Sequence, residues 1–245
     1  MSHSNVSVAE AEVASVAFVP LLEERLPSCR AGTELSGLPL VSKLLAEMGQ
    51  PLADLARRVR RAGPFEGAAV VLLAGCRREA GCSILAAALA AAAARERAVL
   101  LIDADLSRPG LSASLGATRR AGWEEAVRGR CSFEEPVQHP DEAGILSFLP
   151  LRQPVADPEG LLRQPVLPSW LARLRREYGL IVLDGGSVEE TAPGWAPLAD
   201  GALLICDARR TSASEWAAAW DRLEQAGTSV LGIVETFVEG NRPGR

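Results

Sequence analysis

One stretch, Ala69 to Ser83 (AVVLLAGCRREAGCS), restricts the possible folds of this chain more than any other. The apolar run Ala69 to Leu73 has the length and composition of a fully buried strand. It breaks at Gly75 into a polar loop. After Gly81-Cys82-Ser83, the segment Ile84 to Ala94 is built of alanine, leucine and one isoleucine, a strong helix-forming composition. Strand, loop and helix in immediate succession begin a unit whose return crossover is right-handed and whose sheet is parallel.

The same alternation continues downstream. Strands are predicted over Ala98 to Ile102, Ile145 to Leu149, Leu180 to Leu183, Ala202 to Cys206 and Ser229 to Val234. Between them, helices are predicted over Pro109 to Leu115, Trp123 to Arg128, Pro168 to Tyr178 and Ser212 to Ala226. The expected fold class is therefore α/β, with a mostly parallel central sheet and helices on both faces. We expect one domain over 49–238, an N-terminal extension or linker over 1–48, and a flexible tail over 239–245. Within the extension, Val13 to Leu22 has the composition of an extended or docking segment. A helix from Leu52 to Arg61 places Leu52, Leu55, Ala56 and Val59 on one face. Asp54, Arg57 and Arg60 recur at three-residue spacing on the other, which reads either as a solvated face or as a charged interface.

The formal charge of −5 and pI near 5.3 provide no general electrostatic footprint for nucleic acid, so no nucleic-acid partner is expected. No segment has the uninterrupted apolar length of a membrane helix, and the first twelve residues lack the pattern of a signal peptide. The expected location is the cytoplasm, at most peripheral to the inner membrane through a partner. Five cysteines without a C-x-x-C pair argue for reduced thiols rather than zinc. Cys76 and Cys82 flank the loop, as small neutral filler or as a redox pair.

A phosphate-cradling loop between strand and helix takes the form G-x-x-x-x-G-K-[ST]. Its backbone N–H groups hold the phosphates, its lysine reaches the β and γ oxygens, and its hydroxyl holds Mg²⁺. Here Gly81 and Ser83 are in place, but Cys82 stands at the lysine position. The chain has one lysine, Lys43, against 25 arginines, so no lysine near the loop can substitute. Arg77, Arg78, Gly81, Cys82 and Ser83 are the candidate nucleotide-binding residues. Two predicted strands end in carboxylates, Asp103 with Asp105 and Asp184. A lone strand-terminal Asp often caps a turn. Ser83, Asp103, Asp105 and Asp184 gathered at one sheet edge would form the oxygen-rich shell that Mg²⁺ prefers.

From about Asp54 to Val234 the chain resembles the cytoplasmic catalytic domain of the bacterial P-loop tyrosine autokinases of capsule and exopolysaccharide assembly, within the MinD/ParA-like ATPase superfamily. VLLIDADLSRP (99–109) is similar to that family's second acidic motif, and LARLRREYGLIVLDGGSV (171–188) carries its Walker B aspartate as Asp184. GWEEAVRGRCSFEEPVQ (122–138), DPEGLL (157–162) and residues 199–234 match its other blocks. DLARRVR (54–60) resembles the acidic-x-x-Arg-x-x-Arg element of ring assembly. The resemblance implies ATP and Mg²⁺ as cofactors, with Asp103 and Asp105 as catalytic groups in an active member. It also implies oligomerisation through Asp54, Arg57 and Arg60, with itself or an active kinase homologue, and a membrane chain-length regulator as a further partner.

The departures from that family bear on activity. Besides Cys82, Arg78-Glu79-Ala80 stands where Pro-Gly-Glu is usual, and Arg77 falls where related ATPases place a signature lysine. The only tyrosine, Tyr178, precedes the Walker B strand, away from the tail that carries the family's phosphorylated cluster. Thr236 falls at the family's adenine-associated Asn. The expectation is a degenerate, non-catalytic or weakly nucleotide-binding scaffold or regulator. The alternative is an active kinase or ATPase using Arg77 or a partner residue in place of the lysine.

Overall fold

Six strands form one sheet in the order β3-β2-β4-β1-β5-β6. They are β1 (Ala69–Gly75), β2 (Val99–Asp103), β3 (Leu146–Leu149), β4 (Leu180–Ser187), β5 (Gly201–Asp207) and β6 (Val230–Thr236). Every neighbouring pair among them is parallel. This computed structural model describes residues 38–63, 67–117, 121–140 and 145–238. β1, β2, β3 and β5 are buried along their whole length, as near-continuous apolar strands covered on both faces must be.

One face of the sheet is covered by α1 (Pro39–Ala62), α2 (Cys82–Ala93) and α3 (Gly110–Ser114). The alanines of α2 explain its place. Ala86, Ala87, Ala88 and Ala90 are fully buried, and side chains this small let the helix axis approach the sheet closely without voids. The other face carries α4 (Trp123–Val127), α5 (Pro158–Leu162), α6 (Val166–Glu177), α7 (Ala192–Trp195) and α8 (Ala213–Gln225). Large side chains fill this second layer. Trp123 and Trp195 meet edge to face at 5.3 Å, and Trp123 stacks on Trp170 at 6.3 Å.

The alternation read from the sequence is present, with three differences. α1 starts at Pro39, thirteen residues ahead of the expected start at Leu52, and runs across the boundary placed at 48/49. Its two halves meet in a kink at Met48, ahead of Pro51, whose missing N–H and bulky ring interrupt the helical ladder. Leu40, Val41 and Leu44 of the first half join the same core as Leu52, Leu55 and Val59 of the second. Pro39, within the expected extension or linker, sits in the first helical turn, where its lost donor costs nothing. The second difference is α5, which Asp157 caps by accepting from the Gly160 N–H at 2.9 Å, inside a proline-punctuated stretch. The third is α7, a single turn that delivers Trp195. The segment Val13 to Leu22 and the tail 239–245 lie outside the described residues.

Candidate functional site

β1, β4 and β2 are adjacent, so their carboxyl ends bring Ser83, Asp184 and Asp103 to one edge of the sheet. Asp103 and Asp184 are paired in register across β2 and β4. Both carboxyl groups are fully buried. Asp103 Oδ2 accepts from Ser112 twice, from N–H at 2.8 Å and from the hydroxyl at 2.6 Å, whereas among the described residues its Oδ1 has no hydrogen-bond partner. Among the described residues neither oxygen of Asp184 has a partner in hydrogen-bonding geometry. Burial pushes Asp184 up to about 6, and the Ser83 hydroxyl and Cys82 thiol beside it hold it from rising further. Burial, and then the neighbouring charge of Asp184, push Asp103 well above the usual carboxylate range.

The tryptophans that dominate the second core layer also brace this edge. The Trp123 indole N–H donates to the Asp103 carbonyl and that of Trp195 to the Ala104 carbonyl, each at 2.9 Å. The chain is thereby pinned at the residues that aim Asp103 and Asp105. Asp105 Oδ1 accepts from the N–H groups of Ser107 and Arg108, both at 3.1 Å. Gly186, at φ +70°, packs so closely that a Cβ there would lie 2.6 Å from the Asp105 carboxyl carbon. Ser112, Trp123 and Trp195 were not among the expected site residues. Nothing local in the sequence marks them, because each acts through a backbone atom or carboxylate far away in the chain.

The loop from Cys76 to Gly81 leads into α2, whose N-cap, Gly81, sits at φ +88° and provides no side-chain cap. The start of α2 therefore presents backbone donors and the positive end of the helix dipole to the cavity, an arrangement suited to an anion. Glu79, at the position where the related motif carries glycine, keeps a left-handed backbone at φ +60°. A residue with a Cβ pays about 1–2 kcal/mol for that conformation. Cys82 is 8% exposed, and its thiol lies against Asp184. Burial, followed by the charge of Asp184, pushes this thiol well above its ordinary range, so it is neutral.

The loop faces a cavity of about 470 Å³ whose lining includes Arg77, Arg78, Arg108, Arg209 and Arg210. Four of the five guanidinium groups have protein partners. Arg77 Nη1 donates to the Arg210 carbonyl at 2.7 Å and lies 3.9 Å from Glu215. Arg78 is paired with Glu190, Arg210 approaches Glu79 at 3.9 Å, and Arg209 is held by both oxygens of Asp207 at 3.1 Å. Arg108 has no side-chain hydrogen bond or ion pair among the described residues.

Other sequence expectations fall as follows. Cys76 and Cys82 do not face each other: Cys76 lies beside Cys206 on β5, and Cys82 beside Asp184, so the structure does not support a redox pair across the loop. Thr236 is 1% exposed and its hydroxyl donates to the Ala80 carbonyl at 2.7 Å, tying the end of β6 to the loop. On α1, Arg57 is paired with Asp54 and with Glu96, and Arg60 donates to the Gly67 carbonyl at 2.9 Å. Among the described residues no three His, Cys, Asp or Glu side chains gather into a metal cage. Mg²⁺ does not require one, because it binds through one or two carboxylates and keeps several waters. The unpartnered oxygens of Asp184 and Asp103 beside Ser83 fit such an ion.

An all-parallel sheet with this strand order, and a glycine-initiated helix following β1, define a P-loop NTPase fold of the MinD-like type. Among solved structures, the kinase domain of the Escherichia coli tyrosine kinase ETK superposes with a TM-score of 0.75, at 21% identity over 97% of this chain and 95% of that one. MinD of Pyrococcus horikoshii OT3 shares the fold at a TM-score of 0.53 and 18% identity, over 68% of this chain and 69% of its own. No protein-family model matches. In sequence, the chain is 30% identical over 148 residues to the succinoglycan biosynthesis transport protein ExoP of Rhizobium meliloti (strain 1021), covering 58% of this chain and 19% of that protein. It is 25% identical over 178 residues to the tyrosine-protein kinase ptk of Acinetobacter johnsonii, covering 71% of this chain and 24% of that one. The chain is similar in sequence to these two proteins and spans about a fifth to a quarter of their length. Among the described residues no helix is long and apolar enough to cross a membrane.

Proposed function

We propose that this chain is a degenerate P-loop kinase homologue that binds a magnesium nucleotide weakly without efficient phosphoryl transfer, and that it serves as a scaffold or regulator in exopolysaccharide or capsule assembly. The carrying observation is the seat of Cys82. A buried neutral thiol occupies the point from which a lysine would neutralise the phosphoryl group in flight. By analogy with removing one preorganised oxyanion donor, the loss costs about 3–4 kcal/mol of transition-state stabilisation. The acidic half of the site is intact. Ser83, Asp184 and the free oxygen of Asp103 would hold Mg²⁺, which supplies charge neutralisation for the phosphates when bound, and Asp105 lies at its margin. The N-terminal turn of α2 and the loop arginines would bind the phosphate chain.

The partner on this reading is a second copy of the chain or an active kinase homologue, engaged through the face carrying Asp54, Arg57 and Arg60. A membrane chain-length regulator would complete the assembly. The competing reading, an active kinase or ATPase using Arg77, draws on the position of Arg77 in the cavity wall, although its guanidinium is held by the Arg210 carbonyl. ATP turnover by the wild type and by Cys82→Lys distinguishes the two. We expect negligible turnover by the wild type and a gain of a hundredfold or so in the variant, in line with the charge restored. Equal turnover by both would overturn the proposal in favour of an enzyme.

A further inference from the structure

The turn after β5 and the end of β6 bring Arg209, Arg210 and Phe237 into the cavity wall. We propose that this site binds nucleoside triphosphates through their phosphate chain and by stacking on Arg209, without reading the identity of the base. The inference rests on the nucleotide-binding reading above and specifies its ligand class.

Three observations carry it. First, the side chain at the end of β6 is unavailable to a base edge: the Thr236 hydroxyl is buried and donates to the Ala80 carbonyl at 2.7 Å, with the Cys206 carbonyl at 3.2 Å. Second, Phe237 adopts φ +56°, a left-handed backbone that a bulky side chain rarely takes, and its ring lies under the Arg209 guanidinium at 3.8 Å from the centroid. Strain of this kind persists only where the surroundings enforce it, and it gathers at ligand sites. Asp207 grips the same guanidinium through Nε and Nη2, so the plane is held as a shelf, with the side chain 40% exposed. A fixed planar cation over an aromatic ring offers a stacking surface to any base, because every base has a π-face.

Third, the polar lining suits phosphate rather than a base edge. Five arginines line the cavity, and among the described lining residues there is no Asn or Gln. Discrimination between bases depends on donors and acceptors aimed at the base edge. Beside the shelf such groups are already engaged, Arg209 with Asp207 and Arg210 beside Glu79 at 3.9 Å. The charge of the phosphate chain then provides most of the attraction, and the base adds a sequence-tolerant stack worth about 1–3 kcal/mol.

Calorimetric titration of the full chain with Mg-ATP, Mg-GTP, Mg-CTP and Mg-tripolyphosphate tests this. The three nucleotides should bind within about threefold of one another, and tripolyphosphate at least about fivefold more weakly, the lower end of the stacking range. Arg209→Lys keeps the charge and removes the plane. It should weaken all three nucleotides several-fold and leave tripolyphosphate within about twofold, since the phosphate term is unchanged. ATP binding more than tenfold tighter than GTP and CTP would leave nucleotide binding standing and overturn base indifference. An equal loss for nucleotides and tripolyphosphate in Arg209→Lys would overturn the stacking shelf. No binding of any of the four probes would overturn both the inference and the nucleotide-binding reading beneath it.

Discussion

The buried carboxylates behind the cavity and the arginines that line it are built from different parts of the molecule. Asp103 and Asp184 are ends of core strands, fixed by sheet register and braced from behind by Ser112, Trp123 and Trp195. The arginines sit on the loop and on the turns after β2 and β5, partly exposed, and most are engaged in replaceable surface pairs. An arginine change acts at the exposed rim of the site, whereas a change at Asp103 or Asp184 acts inside the core, where burial raises the pKa of both carboxyl groups and their charge works against folding. The two halves therefore differ in what their replacement does: the basic half changes ligand binding with little change in stability, and the acidic half changes both.

The largest expected effect tests the bracing. Trp123→Ala should destabilise the protein by about 3–5 kcal/mol, the usual cost of emptying a large aromatic site. Trp123→Phe, which keeps a ring but not the N–H bonded to Asp103, should cost less, with about 1–2 kcal/mol from the lost hydrogen bond. Denaturant unfolding measures both. If Trp123→Ala is as mild as a surface change, the acidic half is not a core structure.

Asp184 comes next, and its sign is the reverse. Because its native pKa is raised to about 6, the folded state holds the proton more tightly than the unfolded chain does. Its charge therefore opposes folding above pH 6, and the penalty is relieved as pH falls from about 6 to about 4. Asp184→Asn removes the charge and should stabilise the ligand-free protein by about 3 kcal/mol near pH 7, with the advantage over wild type shrinking towards pH 4. Magnesium should narrow the gap at pH 7 by compensating the wild-type charge. A variant less stable than wild type at neutral pH would show that the buried carboxylate holds the fold together.

On the basic side, Arg108→Gln should weaken Mg-ATP binding about tenfold, the effect of losing one charge-assisted contact. Arg77→Gln, whose guanidinium is already engaged with the Arg210 carbonyl, should weaken it by less. The reverse order in a titration would restore Arg77 as the principal phosphate ligand. The smallest effect on stability is expected at α1. Arg57→Glu with Arg60→Glu should leave folding stability close to that of the wild type, because these pairs are exposed. The same change should shift the sedimentation of the protein towards monomer. A wild type that is monomeric throughout removes the self-association role of this face.

Much of the fold was legible in the sequence because its elements announce themselves locally: apolar runs of strand length, an alanine-rich helix, and glycines at sharp turns. The first half of α1 was not, since its apolar residues gain meaning only against α2 and the sheet. The polar residues that the strand ends gather, Ser83, Asp103, Asp105 and Asp184 among them, were legible as well, and so was the cysteine at position 82. Their supports were not, because Ser112, Trp123, Trp195 and Thr236 act on atoms that are distant in the chain or on backbone carbonyls without a sequence signature.

The sequence by itself determined the parallel α/β architecture and the absence of a cation at the head of α2, because hydrophobic periodicity and residue charge are local properties. Only the tertiary structure decided that Asp103 and Asp184 share one buried edge, that Arg77 and Arg78 are bonded elsewhere while Arg108 has no such partner among the described residues, and that Thr236 faces the loop. Those outcomes depend on strand order and on which side chains meet across the sheet, and strand order is a property of the packed molecule.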